Sequence, residues 1–168
     1  MTDFDWNPGS LLEMSGSYWK TCTLHTAVKL DIFSLIDDNL HTCSELREKL
    51  SADKTGLQRL LDALAALGLL VKKEARYKNS EAAHLFLSKK SSRYIGFMIM
   101  HHYHLMESWH KMDTAVLEGG PIRNRSSFSD EDRRESFLMG MFNIGMAVAP
   151  QASKAIDLAG CSHLIDLG

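Results

Sequence analysis

The sequence predicts a mainly α-helical chain: a winged-helix unit, then longer helices, then one short apolar strand. Three observations predict it. Apolar residues recur at helical spacing through most of the 168 residues. A helix, a turn, a second helix and a hairpin follow one another between Thr42 and Asn79. Finally Leu164-Ile165-Asp166-Leu167, a strand-like run, closes a stretch that is otherwise helical.

From Ser10 to about Ile36, Leu11, Leu12, Tyr18, Trp19, Leu24, Ala27, Val28, Ile32, Phe33 and Ile36 keep helical spacing. Two helices broken near Thr21–Thr23 account for them, with a stop at Asn39. So many apolar positions exceed one stripe, so more than one face must be covered. Thr42-Cys43-Ser44-Glu45 fits a capping box and starts a helix over Ser44–Leu50. After the turn at Ser51–Asp53, a helix from Lys54 carries Leu57, Leu60, Leu61, Leu64 and Leu67 and ends near Gly68. Leu69–Val71 and Tyr77–Asn79 form the two arms of the hairpin.

One long helix is expected from Ser91 to Glu118, stopped by Gly119-Gly120-Pro121. Ser129-Asp130-Glu131-Asp132 suits the start of another. That helix would place Phe137, Met141, Ile144, Val148, Ala152 and Ala155 on one side, with Pro150 kinking it about a turn earlier. The chain divides into residues 1–90, the winged-helix unit; 91–160, the added helices; and 161–168, the strand and the glycine after it.

Composition limits the functions available. The chain is 45% hydrophobic and 24% charged with a net charge of −2, so no general basic field attracts nucleic acid. The helix at Lys54–Leu67 carries more alanine and leucine than donors, whereas the hairpin offers Lys72, Lys73, Arg76 and Lys78. A winged helix reused as a scaffold is favoured over a DNA reader. Cys22, Cys43 and Cys161 are far apart and include no C-x-x-C pair, which argues against disulfides or zinc and suits a reducing cytoplasm. No apolar run is long enough for a membrane span. His101, His102, His104 and His110 crowd one helix without a metal motif and read as a polar, pocket-lining face. Seven of the nine methionines lie between Met98 and Met146, where thioethers could line a pocket for a flat apolar molecule. Asp166 in an apolar strand followed by Gly168 suits the first strand of a nucleotide-type α/β fold.

Several segments together resemble the S-adenosylmethionine-dependent O-methyltransferases that act on small molecules. Leu105-Met106-Glu107-Ser108-Trp109 with Leu117 to Pro121 is similar to their L-M-E-S-W … L-x-G-G-P stretch. Phe137 to Met141 resembles their F-x-x-x-M motif. Ala27 to Phe33 resembles A-x-x-L-G-I-F, with Asp31 in place of the usual glycine. Leu164 to Gly168 is similar to the opening of their glycine-rich cofactor loop. The resemblance implies a winged-helix dimerisation region, a homodimer, and a small, aromatic acceptor whose hydroxyl attacks the sulfonium methyl in line. It implies that Ile99, Met100, Phe137 and Met141 line the acceptor pocket, and that Asp166 and Gly168 begin the S-adenosylmethionine site. The general base and the rest of the Rossmann-like sheet would lie beyond Gly168, and the 168 residues alone would be inactive. Two other readings compete: a winged-helix transcription regulator, and a stand-alone homodimeric interaction module.

Overall fold

The computed structural model describes residues 6–122, 130–157, 159–163 and 165. Its first helices are α1 (Pro8–Gly16), α2 (Tyr18–Lys29) and α3 (Ile32–Ile36). Asn7 starts α1 by accepting hydrogen bonds from the Gly9 and Ser10 amides at 3.0 and 3.1 Å, with Pro8 in the first turn. The breaks fall at Ser17 and at Leu30–Asp31, not at Thr21–Thr23 as the sequence suggested. Thr23 lies inside α2, where its hydroxyl donates to the Trp19 carbonyl at 2.8 Å and is satisfied without leaving the helix.

Strand β1 (His41–Thr42), α4 (Cys43–Leu50), α5 (Lys54–Ala66), β2 (Leu70–Lys73), β3 (Arg76–Asn79) and α6 (Glu81–Leu87) follow. The capping box is present: Thr42 Oγ1 accepts from the Glu45 amide at 3.2 Å, and Glu45 accepts from the Thr42 amide at 2.7 Å. Asp53 caps α5 through the Gly56 amide at 2.7 Å. At the other end Gly68 takes φ 74°, letting the Leu69 amide reach the Leu64 carbonyl at 2.9 Å. The three strands are antiparallel in the order β1-β3-β2, with His41 opposite Tyr77 and Lys72 opposite Tyr77 on the other edge.

The core lies between this small sheet and α2 to α6. Ile32, Phe33, Ile36, Leu46, Leu61, Leu64 and Tyr77 are fully buried in it. Asn79 ties the end of β3 to α3 by donating to the Phe33 and Asp37 carbonyls at 2.8 and 3.0 Å. Two elements went unforeseen. Strand β1 is only two residues long, and α6 has a single sequence signal, Ser80, which caps it through the Ala83 amide at 3.3 Å.

Beyond the core come α7 (Gly96–Trp109), α8 (Met112–Glu118) and α9 (Glu131–Ala155). The single helix expected over Ser91–Glu118 is therefore two, beginning later. Ser91 instead organises a turn, its hydroxyl accepting from the Arg93 amide at 3.1 Å. Helix α7 opens on Gly96 because a Cβ there would sit 2.1 Å from the buried Tyr94 ring. It closes with a tightened turn, the Lys111 amide donating to the Ser108 carbonyl at 3.2 Å. Gly119, at φ 72°, stops α8 as expected. Asp130 caps α9 through the Arg133 amide at 3.1 Å, and the helix continues past Pro150 to Ala155.

Helix α9 packs against α7 with a different face from the one its apolar residues suggest. Ser136 and Gly140 are buried, whereas Phe137, Met141, Ile144 and Val148 are exposed. The small residues win because they let the two backbones approach. The strand expected at Leu164–Leu167 lies outside the described residues except for Ile165, which is exposed. No helix among the described residues is long and apolar enough to cross a membrane.

Candidate functional site

The α7–α9 contact brings aromatic, thioether and ionisable side chains together beside a cleft. Its pivot is Gly140, where a Cβ would lie 2.9 Å from the Met98 side chain and 3.1 Å from its Cα. Along α7, one turn after Met98, His101 faces Phe137 of α9 with ring centroids 5.2 Å apart. Met100 is half-buried and packs against the core. Phe137 is 40% and Met141 44% exposed, so both stand on the open side of α9.

The residues expected to line an acceptor pocket therefore occupy two environments. Ile99 belongs to the buried core. Met100 is half-buried against that core, whereas Phe137 and Met141 are exposed on α9. Asp166 and Gly168 lie outside the described residues, so no cofactor cradle is described from this chain.

One turn further along α7 the same surface opens into a cleft of about 280 Å³ at the junction of α2, α7 and α9. His25 and Thr26 of α2, Tyr103, His104 and Glu107 of α7, and Arg133 of α9 line it. The Arg133 guanidinium donates to Glu107 at 3.0 Å and pairs with Asp130 at 3.2 Å. Lys29 donates to the Tyr103 hydroxyl at 2.6 Å and lies over its ring at 4.3 Å. Burial, and secondarily nearby His102, holds the His25 imidazole below the ordinary histidine range. Burial and then the Arg133 charge do the same to His104. Both rings are neutral at pH 7 and offer one donor and one acceptor nitrogen each. Sequence reasoning placed His104 on a pocket-lining helix face but missed His25, which sits inside an apolar helical pattern.

The basic hairpin is partly spoken for. Lys72 donates to Asp62 at 2.6 Å, and the Tyr77 hydroxyl donates to the same carboxylate at 2.7 Å. Gln58, on the α5 face where a DNA reader would make base contacts, is also held by Asp62 and Tyr77. Among the described residues, Asp37, Asp38 and His84 stand close enough together to share a cation, but the Lys90 ammonium already sits 2.6 Å from Asp37.

Comparison with known proteins bears on the same residues. Residues 12–89 match the family model described as the O-methyltransferase dimerisation domain. The chain is 30% identical over 172 residues to the N,N-dimethyltransferase OxyT of Streptomyces rimosus, covering 95% of this chain and 49% of that protein. It is 28% identical over 167 residues to 3-hydroxy-5-methyl-1-naphthoate 3-O-methyltransferase of Streptomyces sahachiroi, covering 96% of this chain and 48% of the relative. The fold matches that of human N-acetylserotonin methyltransferase, solved in complex with S-adenosylmethionine, at a TM-score of 0.78 and 19% identity. That match covers 95% of this chain and 51% of the human one. The chain spans about half the length of the curated relatives it matches. A regulator reading finds no support in these likenesses. Residues 12–89 are similar to the O-methyltransferase dimerisation domain, and the chain as a whole fits the N-terminal half of an S-adenosylmethionine-dependent O-methyltransferase.

Proposed function

We propose that this chain is the dimerisation and acceptor-holding portion of an enzyme that methylates a hydroxyl of a small aromatic molecule. In this reading residues 1–90 form a homodimerising winged helix used as scaffold, 91–160 carry the acceptor face, and 161–168 open the cofactor domain. The observation that carries it is the α7–α9 contact, beside which Phe137 and Met141 stand exposed on α9, in a chain whose residues 12–89 match the dimerisation domain. Such side chains suit a flat apolar ring, since sulfur and π faces attract aromatic edges.

S-adenosylmethionine supplies the methyl group when bound; Asp166 and Gly168 are proposed to begin its site. The residues of this chain bind and orient the acceptor. Phe137 and Met141 flank its ring, Met100 meets it from α7, and Ile99 supports Met100 from the core. Holding the hydroxyl in reach of the transferred methyl replaces an encounter in solution with a positioned one. In this reading none of the 168 residues is the proton-accepting base, so this chain alone is expected not to turn over.

The test is methyl transfer to a panel of phenols by the protein its gene encodes, compared with Phe137→Ala and Met141→Ala. Each variant is expected to lower kcat/KM at least about tenfold, the effect of roughly 1.4 kcal/mol of lost positioning. Transfer to no phenol, or unchanged kinetics in both variants, would sink the reading.

A further inference from the structure

We propose that the cleft between α2, α7 and α9 is a subsite for a neutral, hydroxyl-bearing edge of an aromatic ligand, and that it discriminates against carboxylates. The inference rests on the acceptor reading above and names the class of molecule that the site takes. At about 280 Å³ the cleft lies just below the range of about 300–1,000 Å³ typical of whole-ligand pockets, so it receives one end of a ligand. The rest of the ligand has a surface to lie on. His104 stands one turn beyond Met100 on α7, and Arg133 stands one turn before Phe137 on α9.

The polar groups in the cleft decide the chemistry. His25 is 4% exposed, its ring lines the cleft, and its Nδ1 has no hydrogen-bond partner. A buried polar atom in that condition is destabilising until something pairs with it. Arg133 does not supply a free positive charge, because Glu107 and Asp130 both lie against it. A ligand carboxylate entering here would stand beside the Glu107 carboxylate and face two neutral imidazoles. Like charges in a partly enclosed site repel, and neutral rings offer no compensation. Two further cations lie nearby, both in solvent: Lys29 donates to the Tyr103 hydroxyl, and Lys111 stands 3.8 Å from Glu107 and is already paired with it. A phenol-type hydroxyl has none of these penalties. It can donate to one imidazole nitrogen and accept from another, and the Thr26 hydroxyl gives it a further partner.

The probes are 1-naphthol, 1-naphthoate and naphthalene, titrated into the 168-residue protein at pH 7.5 by calorimetry, with histidine ring resonances followed by NMR. Expected is binding of 1-naphthol at least tenfold tighter than either of the others, with the His25 and His104 signals moving. His104→Phe should remove that preference, and His104→Gln, which keeps a neutral donor and acceptor, should restore most of it at an unchanged Tm. Equal or tighter binding of 1-naphthoate overturns the proposal. So does indifference among the three, indifference to His104→Phe, or no binding up to millimolar concentration, as when a second copy of the chain fills the cleft. Selectivity lost while the encoded enzyme still methylates phenols refutes the subsite alone. Selectivity kept with no methyl transfer refutes the acceptor reading and leaves the subsite standing.

Discussion

Asp31 sits at φ 54° and ψ 33°, a left-handed conformation that favours glycine, at the position where the resembling family usually has glycine. What makes aspartate tolerable is local. Its carboxylate accepts from the Ser34 hydroxyl at 2.6 Å and pairs with Lys89 at 3.6 Å, and short polar side chains visit this region more easily than others. Asp31→Gly is therefore expected to be close to neutral, within about 1 kcal/mol, as relief of strain offsets the lost contacts. Asp31→Val should cost about 1–3 kcal/mol. Urea unfolding of the two variants checks the ordering. The Asp62 carboxylate gives a pH prediction. Hydrogen bonds from Lys72 first, then Tyr77 and Gln58, hold it at about 2 against an ordinary 3.8. A folded value below the unfolded one means a contribution present above pH 3.8 and lost as pH falls towards 2. The group is largely in solvent, so the effect is about 1 kcal/mol or less. Asp62→Asn should flatten the acid side of the stability curve between those values and leave the alkaline side alone. The sequence marked Asp31 as a departure and gave Asp62 no role. The three-way network is invisible there because its partners come from α5, β2 and β3.

At the scale of elements, capping chemistry was the most legible part of the sequence. Thr42, Asp130 and Gly119 each set a helix end through contacts within four residues, so spacing alone locates them. Breaks decided by distant packing were not legible. The unwound stretch before α7 exists because the Tyr94 ring occupies the space that a side chain at Gly96 would need. The packing face of α9 was misjudged for a related reason. Apolar spacing pointed to Phe137, Met141, Ile144 and Val148, whereas the contact with α7 runs through Ser136 and Gly140. Gly140→Val should push α9 off α7, costing about 1–3 kcal/mol in urea unfolding, because the Met98 backbone cannot yield as a side-chain tip can. The expected far-UV signature is retained helix content, since α1 to α6 do not depend on that contact.

For the whole molecule, the exposed apolar surface is the dominant fact. Leu12 is 73% and Trp19 66% exposed on α1 and α2, and Leu117 is 85% exposed on α8. On α5, by contrast, Leu57, Leu61 and Leu64 are buried within the chain. What remains on α1 and α2 matches a dimerisation-family domain, in which obligate interfaces bury about 2,000–5,000 Å². Sedimentation at micromolar concentration is expected to give twice the chain mass, and Leu12→Glu with Trp19→Glu should return it to one. A monomeric wild-type protein would contradict the homodimer. Legibility of the candidate site was divided in the same way: motif resemblance pointed to Ile99, Met100, Phe137 and Met141, but only the packed helices bring His25 and Arg133 to one cleft.

Every residue of α9 from Ile144 to Ala155 is exposed, while among the described residues the helix is held on α7 between Arg133 and Gly140. Mechanically this is a lever with a short clamped end and a free arm of about 18 Å, at 1.5 Å per residue. A tilt of about 10° at the Met98–Gly140 fulcrum swings the tip by about 3 Å over that arm. Arg133 lies on the opposite side of that fulcrum and lines the cleft, so a ligand seated beside it has leverage over the far end of the helix.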